Sequence, residues 1–213
     1  PLKADTDNDG LSDKDEVAVY LTNPNLADTD GDGFSDSFEI QQKTNPNFKA
    51  QTTADGYKQE LTVREDAEDG TIVGWSLYDN TPPGTIENVI DPDNSSNRCI
   101  KLTGGAQDTG YALTLPAKEK FQFKISWRMK YSESYTVYVD CDTNKGHRFV
   151  YYTNTYRDSL GTGEFVHHGT GVESAKGTWF AISRDVQRDL WDAQPDCNIT
   201  AVNKIIVRGS GYI

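Results

Sequence analysis

Apolar and polar residues alternate without a break through FQFKISWRMKY, residues 121–131. Phe121, Phe123, Ile125, Trp127, Met129 and Tyr131 fall on one side, and Gln122, Lys124, Ser126, Arg128 and Lys130 on the other. Two is the side-chain period of a strand, so this segment reads as a half-buried antiparallel strand. SYTVYVDCDTNKGHRFVYYT follows as two alternating runs around the turn residues TNKG, the signature of a hairpin. TWFAISRDV and VNKIIVRGSG supply further strands, with Gly-rich loops between them. Many short strands with regular turn signals predict a mainly β chain, folded as a jelly-roll β-sandwich.

The first fifty residues follow another logic. Their only regular segments are DEVAVYLT and FEIQQKT, each about two helical turns long and each ended before the Pro of a repeated TNPN. Ahead of these segments stands DTDNDGLSDKDE, residues 5–16, which returns as DTDGDGFSDSFE at 28–39. In the first copy Asp5, Asp7, Asp9, Asp13 and Glu16 occupy loop positions 1, 3, 5, 9 and 12, with Gly10 at position 6. The second copy places Asp28, Asp30, Asp32, Asp36 and Glu39 in the same slots, with Gly33 at the turn. Carboxylates this dense repel one another unless a cation lies between them. Calcium takes roughly six to eight oxygens, and the loop supplies them from these side chains plus the position-7 carbonyl of Leu11 or Phe34. Magnesium fits less well because it prefers to keep its waters. An unstructured acidic linker has a similar composition, but would have no reason to repeat five ligand positions and a glycine. At least two Ca2+ ions are therefore expected, and units too small to bury a core are expected to be folded by them.

This N-terminal pattern resembles the bacterial form of thrombospondin type 3 repeats over roughly residues 3–47. The resemblance implies a calcium-stiffened spacer between larger domains of a secreted protein. Dockerin modules share the loop, but their duplicated segments carry longer helices, and a true EF-hand needs a longer helix on each side.

Composition agrees with this division. The formal charge is −12, of which the first fifty residues carry −7 and the remaining 163 carry −5. So acidic a protein is not expected to bind nucleic acid, and no apolar run approaches the ~18 residues that span a membrane. A composition shift at FKAQTTADGY separates the repeats, 1–50, from a linker, 51–57, and a sandwich, 58–213, that holds all four Trp and most of the Tyr. With no signal segment at its start, the chain reads as a piece of a longer, secreted, monomeric polypeptide. Cys99, Cys141 and Cys197 match no zinc spacing and leave one disulfide or none open. DCDTNKG and DPDNSSN read as plain turns rather than further calcium loops, and Glu65, Glu68 and Asp69 are weaker candidates for a structural calcium.

AEDGTIVGWSLYDNTPPG at 67–84, GTWFAISRDVQRDLWDAQPD and VNKIIVRGSG are similar to strands of carbohydrate-binding-module-like sandwiches in secreted polysaccharide-degrading enzymes. The resemblance implies a non-catalytic module that holds a catalytic domain of the same chain on its polysaccharide. Aromatic rings and planar polar groups are what sugar binding requires. If Phe149 and Tyr151 face the core, then Tyr138, Arg148 and Tyr152 face out, alongside Lys124 and Arg128 of the preceding strand. That surface, aromatic and basic, points to an acidic polymer such as alginate or a sulfated galactan. Tyr156, Arg157 and His167 in loops, and Trp191 in a polar segment, form a rival site. Trp75 and Trp127 are expected in the core. A jelly-roll lyase would need a base or acid beside an Arg, from His147, His167, Tyr152 and Arg157, and ranks below binding. A calcium-dependent surface adhesin or a purely structural spacer is the alternative to a polysaccharide module.

Overall fold

The computed structural model describes residues 4–31, 33–42, 46–47, 52–53, 56–57, 65–105, 107–119 and 123–213. The chain divides into two compact units, Pro1–Thr62 with Gln194–Asn198, and Val63–Ala193 with Ile199–Ile213.

In the first unit each acidic loop leads into one short helical segment. Ser12 caps α1 (Asp13–Asp15) by accepting from the Asp15 amide at 3.1 Å, and α1 continues into a π-helical turn, Glu16–Tyr20, that ends at left-handed Leu21. The second loop leads into α2 (Asp36–Gln42). The two repeats are stitched together. The Ser37 amide donates to Asp9 Oδ2 at 2.9 Å, the Ser37 hydroxyl donates to the Asp9 carbonyl, and Asn47 Nδ2 donates to the Tyr20 carbonyl at 2.9 Å. A two-stranded ribbon follows, β1 (Thr52–Thr53) and β2 (Gly56–Tyr57).

The second unit is the expected β-sandwich. Its strands are β3 (Trp75–Asp79), β4 (Thr85–Asp91), β5 (Asn94–Thr103), β6 (Gly110–Glu119), β7 (Lys124–Tyr131), β8 (Thr136–Thr143), β9 (Gly146–Thr153), β10 (Phe165–Gly169), β11 (Phe180–Asp185), β12 (Ile199–Arg208) and β13 (Gly211–Tyr212). They form a six-stranded sheet, β10-β9-β8-β12-β6-β3, and a five-stranded sheet, β11-β7-β13-β5-β4. All pairings are antiparallel except β9 with β10. The inner layer takes alternate residues, among them Val137, Val139 and Cys141 of β8 and Met129 and Tyr131 of β7, all essentially solvent-free. Trp75 joins this core, whereas Trp127 is half-buried and leans against Tyr152 with ring centroids 5.6 Å apart. Phe121 and Gln122 lie outside the described residues. None of the three cysteines is bonded to another, and all are buried.

One polar strap ties the two sheets together. Helix α3 (Val186–Ala193) brings Asp189 into the interior, where its Oδ2 accepts from the Tyr152 hydroxyl at 2.7 Å and from Arg184 Nε at 2.8 Å. Arg184 also donates to Asp189 Oδ1 at 2.6 Å and lies over the Tyr152 ring. Burial, reinforced by the Asp189 charge, raises the Tyr152 pKa well above its usual value. Removing one member of a buried pair strands the other, which costs about 3–5 kcal/mol, whereas losing one hydrogen bond costs about 1 kcal/mol. Asp189→Ala should therefore lower the unfolding free energy in urea by about 3 kcal/mol and Tyr152→Phe by about 1 kcal/mol. Equal, near-zero effects of the two changes would show that the strap is not a stability element.

Candidate functional site

The outer face of the six-stranded sheet is assembled by register. In an antiparallel pair, residues directly opposite share a face. Tyr138 lies opposite Tyr151 and Asp140 opposite Phe149, and β10 sets His167 beside Tyr151 and Phe165 beside Phe149. Because Val137, Val139 and Cys141 take the inner side, this whole set must be outward. Two aromatic rows result. Tyr138 stacks on Tyr151 (5.3 Å, 28°) and Tyr151 on His167 (4.8 Å, 24°), while Phe149 stacks on Phe165 (5.2 Å, 16°). Phe165, on the edge strand, remains 51% exposed. The rings within a row cover one another's faces, so what each row offers outward is ring edges and polar tips. Among the described residues, neither the Tyr138 nor the Tyr151 hydroxyl makes a hydrogen bond.

Two irregularities enrich this face. Between Val202 and Lys204 the β12–β8 register slips by one, so Asn203 is an extra residue against Asp140. Such a bulge re-aims side chains. Asn203 Nδ2 donates to Asp140 Oδ1 at 2.9 Å and to Asp142 Oδ1 at 3.1 Å, and its own Oδ1 is shielded from solvent with no hydrogen-bond partner. A second slip, between Leu77 and Asp79 of β3, adds Tyr78, whose ring lies 5.3 Å from Lys204 Nζ. Lys204 Nζ is also 3.6 Å from Asp140 Oδ2, and Arg208 donates to Asp79 Oδ2 at 3.2 Å. His147 meets the Phe149 ring edge-on and lies between two carboxylates: its Nε2 is 2.8 Å from Asp140 Oδ1 and its Nδ1 3.1 Å from Glu164 Oε1. Burial alone would lower the His147 pKa, but these carboxylates, Asp140 first, outweigh it and hold the pKa above the ordinary histidine value. Two ring nitrogens facing two carboxylates suit the imidazolium, which donates from both. His167, by contrast, is lowered by burial, and its Nε2 meets the Thr153 hydroxyl at 2.7 Å.

The structure redistributes the residues that the sequence grouped together. Tyr152 is in the core with no exposed surface, opposite Val137, and Arg148 shares its side of the sheet, opposite Cys141. The expectation that Tyr152 and Arg148 accompany Tyr138 outward is therefore overturned, as is the inward placement of Phe149 and Tyr151. Lys124 and Arg128 belong to β7, in the other sheet, where Arg128 lies over Trp179. They cannot join a surface built on the β8–β9 hairpin. Tyr156 is 70% exposed on the β9–β10 connection, donates to Glu173 at 3.1 Å and has exposed Arg157 as its neighbour. Trp191 is half-buried within α3. His168 is buried, its Nε2 bonded to the Asp189 carbonyl, while His167 joins the outer face. Asp140, Asp142, Phe149, Tyr151, Phe165, Asn203 and Lys204 are the face residues that sequence reasoning did not select. DCDTNKG forms the β8–β9 hairpin and DPDNSSN the β4–β5 hairpin, as expected. Glu65 and Asp69 accept local hydrogen bonds from the Ala67 and Thr71 amides, and Glu68 accepts one from the Arg98 amide of β5.

The acidic loops share one internal wiring. At position 1, Asp5 accepts from the Asn8 and Gly10 amides (2.7 and 3.3 Å), and Asp28 from those of Gly31 and Gly33 (2.7 and 2.8 Å). At position 9 both oxygens are committed elsewhere. Asp13 accepts from the Thr6 amide and hydroxyl, both at 2.7 Å, and Asp36 from those of Thr29 at 2.8 and 2.7 Å. These aspartates close the loops rather than point into them. Positive φ at Gly10 (105°) and Gly33 (99°) makes the position-6 turn. Asp5, Asp7 and Asp9 converge, each offering an oxygen within 4.8 Å of the others. The closing Glu16 and Glu39 are buried. Glu16 Oε2 and Asp7 Oδ2 are buried without a hydrogen-bond partner, and burial, followed by the charge of Asp7, pushes the Glu16 pKa up to about 7. A positive charge beside these carboxylates would reverse that shift. Asp32 lies outside the described residues, and Phe34, which would give the matching carbonyl in the second loop, stacks on Phe38 at 5.4 Å.

Residues 5–27 and 28–47 each match the family described as bacterial TSP3 repeat. No curated protein matches the chain by sequence. Among solved structures, the chain is similar to the CBM22-1–CBM22-2 tandem domain of Paenibacillus barcinonensis Xyn10C, with a TM-score of 0.41 and 14% identity, covering 73% of this chain and 44% of that one. The enzymatically active domain of the bacteriophage CBA120 tailspike protein 4 matches at a TM-score of 0.36 and 12% identity, over 71% of this chain and 21% of that one. The family 11 carbohydrate-binding module of Clostridium thermocellum, in complex with a β-1,3-1,4-mixed-linked tetrasaccharide, matches at 0.36 and 13%, over 70% and 92%. The chain thus spans less than half the length of the first two structures. It joins two segments that match the bacterial TSP3 repeat to a β-sandwich.

Proposed function

We propose that the sandwich, residues 58–213, binds polysaccharide through the outer face of its six-stranded sheet, and that residues 1–50 form a calcium-dependent spacer. The observation that carries the first part is the pair of aromatic rows bordered by Asp140, Asp142, Asn203 and Lys204. Tyrosine hydroxyls without hydrogen-bond partners among the described residues, together with carboxylates, are what sugar hydroxyls require, and Phe165 offers an apolar surface to sugar C–H groups. The rows are fixed on strands, so the face is pre-organised and little ordering entropy is lost on binding. In this reading the module is non-catalytic and secreted, and it holds an enzyme domain of the same polypeptide on its substrate.

In the repeats, Asp5, Asp7 and Asp9, the Leu11 carbonyl and Glu16 would hold one Ca2+. Asp28, Asp30, Asp32, the Phe34 carbonyl and Glu39 would hold a second. Asp13 and Asp36 contribute by loop closure, the position that in such loops reaches the ion through water. Calcium supplies the positive charge that lets these carboxylates share one volume.

Two experiments follow. Affinity electrophoresis against a panel of soluble polysaccharides should retard the protein with at least one polymer. Tyr138→Ala or Phe165→Ala should weaken that binding about tenfold, and Arg128→Ala, on the opposite sheet, should not. Loss on Arg128→Ala alone would move the site to the five-stranded sheet. Chelation of calcium should remove helical circular dichroism and open residues 1–50 to protease while the sandwich stays resistant. An identical digestion pattern with and without chelator would contradict the calcium assignment.

A further inference from the structure

We infer that the ring of Tyr156, on the connection between β9 and β10, is a further sugar-binding subsite, taking one pyranose unit of a chain that already lies on the outer face of the six-stranded sheet. The inference rests on the polysaccharide-binding reading and sets how long a chain the protein grips. Among the described residues Tyr156 is the most exposed aromatic side chain, at 70%. Side chains this exposed keep their rotamer freedom unless something holds them. Here both ends of the ring are held. The Tyr156 hydroxyl donates to Glu173 Oε1 at 3.1 Å, and Glu173 is gripped in turn by Lys176 across the 3-10 turn Val172–Ala175. Two glycines make room for the loop and its ring. A Cβ at Gly171, whose φ is +84°, would stand 3.3 Å from Tyr156 Cε1, and one at Gly169 would collide with the Thr155 carbonyl. The Gly171 amide donates to that same carbonyl at 2.7 Å.

A ring fixed in water buries little and adds little to folding. What the arrangement supplies is an aromatic surface ordered before a ligand arrives, so less entropy is lost when a sugar stacks on it. Polar groups stand in the next two residues. Arg157 is exposed, and among the described residues its guanidinium makes no hydrogen bond or ion pair. Asp158, with a side chain 50% exposed, accepts from the Gly169 amide at 2.8 Å. They offer donors and an acceptor to sugar hydroxyls. The subsite also follows directly from the outer face. Thr153, two residues past Tyr151 on β9, takes the same side of the sheet. Its hydroxyl lies 2.7 Å from His167 Nε2 and 3.2 Å from the Thr155 hydroxyl. From Tyr151 to Tyr156 the backbone spans at most about 18 Å, a distance that an oligosaccharide covers.

The test separates chain length from the face itself. Affinity electrophoresis of the intact protein in a neutral xylan, a mixed-linked glucan, an alginate and a polygalacturonan identifies the polymer it retains. The trisaccharide and the hexasaccharide of that polymer are then titrated calorimetrically into the protein and its variants. Tyr156→Ala should weaken the hexasaccharide about fivefold and leave the trisaccharide unchanged. Tyr156→Phe, which keeps the ring and loses only the bond to Glu173, should keep most of the hexasaccharide affinity. Tyr138→Ala, on the face itself, should weaken both ligands. Unaltered hexasaccharide binding by Tyr156→Ala, with Tyr138→Ala still weakening it, would overturn the subsite and leave the outer-face reading intact. Equal weakening of both ligands by Tyr156→Ala would overturn its place as an extension of the face. Retention by none of the four polymers would overturn the polysaccharide reading itself and this inference with it.

Discussion

Everything the sandwich can present depends on the pairing of Tyr138 with Tyr151 across the β8–β9 hairpin. The side-chain period of a strand is two, so a slip of one residue would exchange every inward group for an outward one. Val137, Val139 and Cys141 anchor β8 by burying one side completely, and the two residues between the strands, Asn144 and Lys145, fix which residue of β9 lies opposite each residue of β8. Once that is settled, Val150 and Tyr152 must complete the core, and Phe149, Tyr151 and His147 must face out. The strap from Asp189 to Tyr152 and Arg184 locks the arrangement from beneath, since a slipped β9 would leave a buried carboxylate without its partners.

The N-terminal repeats obey a different constraint. They have little apolar surface with which to define a fold, and carboxylates drawn this close repel one another, which is the ground of the calcium proposal. The position-1 aspartates collect backbone amides, the position-9 aspartates tie the loop to a threonine, and Asp7 Oδ2 and Glu16 Oε2 are left buried without a hydrogen-bond partner. Ser37 then binds the first loop to the helix of the second, so neither loop is wired in isolation.

Much of this was legible in the sequence. Strict alternation in 123–131 and the two runs around TNKG gave real strands, because alternation reports one buried side whatever the partner is. The repeated loop geometry was legible because spacing sets it, with Gly10 and Gly33 at the turns and Asp5, Asp7 and Asp9 drawn together, but the hold of Thr6 and Thr29 on Asp13 and Asp36 was not, because no spacing rule announces it. The candidate sugar face was only half visible. Tyr138 was placed outward by its valine neighbours, yet the same parity carried through a two-residue turn requires Tyr151, not Tyr152, beside it. The aromatic run FVYY has no alternation of its own from which to read its inner side. Which sheet β7 joins is a matter of topology, and no local pattern separates Lys124 and Arg128 from the hairpin that follows them. The bulges at Tyr78 and Asn203 leave no compositional trace, although each adds a polar or aromatic group to the face.

The central claim is that the face defined by this register is the one that meets the ligand. Its most direct test is an NMR titration of the isotopically labelled protein with an oligosaccharide from whichever polymer it retains. The account predicts that resonances of Tyr138, His147, Tyr151, Phe165 and Asn203 shift together with one binding curve, while those of Arg128 and Trp179 stay fixed. Shifts confined to Arg128, Trp179 and their neighbours on the five-stranded sheet would contradict it.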